Sequence, residues 1–155
     1  MQSAHTNADN ELKNTLEQFE TCLLSPVVPG ELSDWCDEVK SAWAEAVDRV
    51  RNQVHELHPQ QYQEMGAEDP ESLPRTEKLE EDDRSLEEHC DEFDRTLHRF
   101  VEHAPKFEPD EEKVAQHAQT LIDAGVELLT NIRRQEAAVQ TWYIEAFTRD
   151  RGVAD

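Results

Sequence analysis

Residues 79–100, LEEDDRSLEEHCDEFDRTLHRF, decide the fold. Leu79, Asp83, Leu86, Cys90, Phe93, Leu97 and Phe100 follow one another in alternating steps of four and three, which lines side chains along one face of an α-helix. The face is apolar except at Asp83. A second series runs through Val114, Ala118, Leu121, Gly125, Leu128, Ile132, Gln135, Val139, Trp142 and Ala146 and is broken by polarity only at Gln135. Burying such groups without partners costs roughly 1–3 kcal/mol, and more where a charge is kept. Asp83 and Gln135 therefore either meet partners inside a helical bundle or mark the remains of a polar site.

Working outward, Leu12, Leu16, Phe19 and Leu23 predict a helix over 8–24, interrupted by SPVVPGE. Leu32, Cys36, Val39, Trp43, Ala46, Val50 and Leu57, widened by Trp35, Val47 and Val54, predict a second over 31–58. The aperiodic HPQQYQEMGAEDPESLP, 58–74, reads as a loop whose Tyr62 and Met65 fold back as a lid. Ser72 or Thr76 then caps a helix over 72–103, which stops before Pro105, and Asp110 behind Pro109 caps a long one over 110–149. With only 4 Gly and 7 Pro in 155 residues, the breaks are few. The expectation is all-α: one domain over 1–155, an antiparallel up-down-up-down four-helix bundle with a long C-terminal helix.

In that bundle Asp83 and Gln135 are offset by about one helical turn, roughly 7 Å, and belong to one polar layer without needing to touch. Asn131 lies nearer the level of Asp83, and Arg133 or Arg134 would serve as counter-ion. His89, His98 and His117 sit one position off the seams, as partly solvated flanking residues. His98 and Glu102 are spaced to pair at i, i+4, and His55 and His58 fall where histidines meet the last carbonyls of a helix.

The formal net charge of −21, from 36 acids against 15 bases, argues against nucleic-acid or anionic-membrane binding. It steers basic partners or cations toward the chain instead. No apolar run approaches the roughly 20 residues that span a bilayer, the N-terminal MQSAHTNADNELKN lacks the features of a secretory leader, and Cys22, Cys36 and Cys90 suit reduced thiols. A cytoplasmic place is expected. GxSxG, GxxxxGK[ST] and GxGxxG motifs do not occur, nor does the ExxH pattern of ferritin-like metal bundles, so no enzyme class is implied. Trp142, Tyr143 and Phe147 either pack in the core or, if the last helix overhangs, form a patch for a partner or a second copy.

The run LLTNIRRQEAAVQTWYIEAFTRDRG, 128–152, together with EEDDRSLEEHCDEF, 80–93, resembles the last two helices of hemerythrin-like domains. The resemblance implies a four-helix bundle whose core histidines and carboxylates bind two irons, for oxygen binding or sensing. By position Asp83 replaces one such histidine, with Glu87 a turn later, and Gln135 replaces another; the HxxxH pair is missing. An amide is a poor iron ligand where imidazole is a good one. The expectation is therefore a degenerate, non-enzymatic hemerythrin-like bundle without cofactor, with a binding or regulatory role toward a protein partner or another copy of itself. Two alternatives stand beside it: a metal- or oxygen-binding protein with a di-iron site on Asp83, Glu87 and Glu136, and an acidic inhibitor or chaperone of a basic partner.

Overall fold

The computed structural model describes residues 2–107 and 110–149. The described residues are all-α. Four long helical spans carry the chain: α1 (Gln2–Leu24), α2 (Leu32–Asn52) continuing into α3 (His58–Glu68), α4 (Leu73–Phe107) and α5 (Glu111–Thr148). Around the bundle, α1 packs on α2 and α5, α2 packs on α4, and α4 packs on α5, which closes a ring of four. Pro109 and the end of the 128–152 run lie outside the described residues.

The apolar spacing explains the packing directly. Leu12, Leu16, Phe19 and Leu23 of α1 are buried, as are Leu86, Cys90, Phe93 and Leu97 of α4 and Leu121, Leu128 and Ile132 of α5. Phe19, Trp43 and Phe93 meet edge to face or tilted, with centroids 4.8–5.7 Å apart, at the middle of this cluster. Gly30, at φ +86°, makes the left-handed turn between α1 and α2 that a side chain would disfavour. Asp110 caps α5 as expected, accepting from the Lys113 amide at 3.3 Å.

The expected loop at 58–74 is wrong over most of its length. After Asn52 the chain makes one π-turn, Gln53–Leu57, in which the His58 amide donates to the Gln53 carbonyl, and then resumes α-helix as α3. Pro59 is the reason. A proline in a regular α-helix meets the carbonyl four residues back, and the wider turn just before it relieves that conflict. The extra residue shifts the register, so Leu57 is only half-buried while His58 takes the inward position. Gln61, Tyr62 and Met65 follow on the buried face of α3. Tyr62 and Met65 turn inward not as a lid but as helix, packed with Leu79, Val139 and Ala146.

Asp69, extended at φ −134° and ψ 93°, ends α3, and the short turn Pro70–Ser72 leads straight into α4. Neither Ser72 nor Thr76 caps α4: Ser72 Oγ donates to the Asp69 and Met65 carbonyls, and Thr76 Oγ1 donates to the Leu73 carbonyl. The α4 helix also runs past Pro105 to Phe107, at the cost of the one hydrogen bond that a proline amide cannot give. Among the described residues no helix is long and apolar enough to cross a membrane.

Gly125 sets how closely α5 approaches α1 and α4. A Cβ there would lie 2.5 Å from Leu23 Cδ2 and 3.3 Å from Phe93 Cε2, and Leu23 is fully buried with little room to give. Gly125→Leu should therefore lower the unfolding free energy by about 1–3 kcal/mol, measured by chemical denaturation. A variant as stable as the parent would mean that these helices separate there without penalty.

Candidate functional site

The core is not continuous. Leu79, Tyr62, Met65, Val139 and Ala146 form one buried cluster, and the larger cluster begins at Val54, Leu86 and Ile132. Between them each helix contributes polar side chains: Asp9 from α1, Gln53 and His58 from the π-turn and α3, Asp83 from α4, and Gln135, Glu136 and Gln140 from α5. This layer is the candidate site.

Its centre is His58, fully buried between two carboxylates. Nδ1 lies 3.0 and 3.1 Å from the two oxygens of Asp83, and Nε2 lies 2.7 Å from Glu136 Oε1. The Glu136 contact is an ion pair too oblique for a well-directed hydrogen bond, because Nε2 finds no aligned acceptor. Asp83 is surrounded by donors. Besides the imidazole it accepts from Tyr62 Oη at 2.7 Å and from Gln135 Nε2 at 2.9 Å, and the same amide also reaches the Leu79 carbonyl at 3.0 Å. Gln53 Nε2 extends the layer by donating to Glu136 Oε2 at 2.9 Å and to Asp9 Oδ1 at 3.0 Å, while Gln140 Nε2 donates to Asp9 Oδ2 at 2.7 Å.

These contacts fix the protonation of the centre. Burial by itself pushes the His58 imidazole down, but the bonds to Asp83 and Glu136 and their negative charges outweigh it and raise the group from 6.5 to about 9. His58 is thus an imidazolium near neutrality, its Nδ1 donating to Asp83 and its Nε2 held in the ion pair with Glu136. Burial, then the Asp83 charge, pushes the Tyr62 phenol far up, so it remains a donor to that carboxylate. The two buried thiols are poor nucleophiles: burial raises Cys36 to about 11 and Cys90 to about 12, and all three cysteines are free.

Asp83 and Gln135 are both buried and bonded to each other, closer than the expected one-turn offset. Long side chains span the difference. Asn131 is not in the layer; it stands half-buried on the wall of a surface cavity of about 270 Å³ beside His89 and Glu92. The counter-ion is neither Arg133, which pairs with Glu20 at 2.7 Å on the surface, nor Arg134, which is exposed. His58 takes that role because the helix does not end there, and so it has no terminal carbonyls to meet.

Of the carboxylates considered as metal ligands, Asp83 and Glu136 converge on His58, whereas Glu87 turns to His55. His89, His98 and His117 are exposed, and His98 pairs with Glu102 at 3.1 Å. Among the described residues no group of three His, Cys, Asp or Glu side chains is placed to hold a metal ion. Trp142, Tyr143 and Phe147 do not overhang. They pack partly buried against the smaller cluster, with Arg75 stacked 3.2 Å over the Trp142 ring and Tyr143 Oη donating to Glu64 Oε2 at 2.5 Å. Ile144 remains exposed beside them.

Two outcomes follow from this geometry. His58→Leu leaves Asp83 and Glu136 without their cation and should cost about 3–5 kcal/mol by chemical denaturation, much of it recovered when Asp83 and Glu136 are also replaced by Leu. Because His58 titrates higher in the folded chain than in the unfolded one, its contribution is complete below pH 6.5 and disappears as pH rises through about 9. That contribution is roughly 3 kcal/mol, so unfolding free energy should fall by about that much across this window, and the fall should be absent in His58→Gln. An unchanged slope in the variant would remove His58 from this role.

Comparison with known proteins adds no relative, since no protein-family model, curated protein or solved structure matches the chain, and the layer's own chemistry has to carry the functional argument.

Proposed function

We propose that this chain is a hemerythrin-like, antiparallel up-down-up-down bundle whose centre is closed by a histidinium in place of metal. It acts without catalysis, in the cytoplasm, as a binding or regulatory module. One observation carries the reading: both nitrogens of His58 are committed to carboxylates, in a setting that keeps the ring protonated. A metal ligand must be the neutral imidazole with a lone pair free. The residues present do not fit two irons, because Gln135 offers an amide, a poor iron ligand, with its Nε2 held by Leu79 and Asp83, and Glu87 is engaged outside the layer.

Elemental analysis of purified protein, followed by anaerobic calorimetric titration with Fe(II) at pH 7, tests this. The expected result is no stoichiometric iron, manganese or zinc and no binding heat. Stoichiometric metal that is lost in Asp83→Ala would overturn it in favour of a carboxylate-rich metal or oxygen carrier.

A second reading concerns the partner. The outer face of α4 exposes Glu77, Glu80, Glu81, Glu88, Asp91 and Glu92, and the whole chain carries −21. This favours a basic protein, with the chain as its acidic inhibitor or chaperone. Such a complex should weaken steeply as salt rises from low to physiological strength, and an affinity indifferent to salt would count against it.

A further inference from the structure

Toward the α4–α5 turn, about 24 Å along α4 from Asp83, the two helices line a groove of about 510 Å³. Its floor is apolar, made by half-buried Phe100 and buried Leu121. Its polar rim is made by the Arg99 guanidinium and His103 from α4 and His117 from α5, with no Asp or Glu among the described residues that line it. In a chain with 36 acids and 15 bases, a groove lined by an arginine and by no described acid is a distinct feature. Arg99 makes no ion pair among the described residues; its Nε donates to the Arg95 carbonyl at 3.4 Å. The planar fork of its terminal nitrogens is thus available, in the geometry that binds a carboxylate by two parallel hydrogen bonds.

We propose that this groove is a binding site for a small organic carboxylate with an apolar body. The head group would lie against Arg99 and the His103 imidazole, and the body would cover Phe100 and Leu121. The volume falls within the range of small-molecule sites, about 300–1,000 Å³, and the combination of an apolar floor with a few convergent polar groups is their usual composition. A free phosphate fits less well. Such ions gain most from backbone amides at a helix start, whereas Arg99, His103 and His117 all stand inside helical spans where the amides are already bonded. The surrounding negative surface also penalises a multiply charged anion more than a singly charged one. The site is separate from the bundle centre and does not depend on how that centre is read.

The test uses 4-phenylbutyrate as the probe, with 4-phenylbutanol and inorganic phosphate beside it, at low ionic strength. Calorimetry should give one site per chain with a dissociation constant on the order of 1 mM or below, as expected for a ligand of this size in an open groove. Amide shift changes should centre on residues 96–103 and 117–121. Arg99→Gln, at an exposed position, should weaken binding by about tenfold, whereas Arg84→Gln, also exposed on α4, should leave it unchanged. Equal affinity for the alcohol, equal affinity for inorganic phosphate, shifts centred elsewhere, no effect of Arg99→Gln, or no binding of 4-phenylbutyrate would each overturn the proposal.

Discussion

A carboxylate held inside a protein must be surrounded by donors and met by a cation, and at Asp83 that requirement organises the whole middle of the bundle. It is answered by Tyr62, Gln135 and His58, which come from two other helical spans and leave Asp83 saturated. His58 in turn draws in Glu136, and Gln53 ties Glu136 to Asp9. No pair in this chain stands alone. Removing one member leaves its neighbours buried without partners, which makes the layer costly to break and unrewarding as a source of net stability compared with an apolar core of the same shape.

What such a layer supplies is alignment. Apolar seams of period three and four tolerate sliding by a turn, because leucine against leucine is much the same one turn along. Asp83 does not tolerate it. Sliding α5 by one turn would take Gln135 from Asp83 and bring an apolar neighbour of that seam, Ile132 or Val139, to its level. The aromatic cluster of Phe19, Trp43 and Phe93 adds packing specificity, but the polar layer sets the axial position of each helix relative to the others.

Much of this was legible in the chain, and the failures have definite causes. The seams of α1, α4 and α5 were readable because apolar side chains recur at helical spacing, and Asp83 and Gln135 stood out because they violate it. His58 was hidden because the seam of α2 extrapolates to Leu57, and only the π-turn ahead of Pro59 moves the inward position by one residue. The same slip, with the polar composition of Gln60, Gln61, Gln63 and Glu64, disguised α3 as a loop, although Tyr62 and Met65 already faced inward. Glu136 follows the seam residue Gln135, and its long side chain reaches His58 in the layer. The one available signal was electrostatic: a buried Asp83 required a cation, and His58 lies just upstream in a helix that has not ended.

The division of the apolar interior into two clusters carries a consequence for how the two ends fit together. The smaller one, around Met65, Leu79 and Val139, has no direct apolar continuity with the larger and communicates with it chiefly through hydrogen bonds and charge. Hydrogen bonds are directional, so the fit between the two ends is set by the geometry of the polar layer rather than by apolar packing. The far end of the bundle, α3 with the adjoining turns of α4 and α5, thus forms a small apolar unit of its own, joined to the aromatic half by the polar layer and by the unbroken helices α4 and α5.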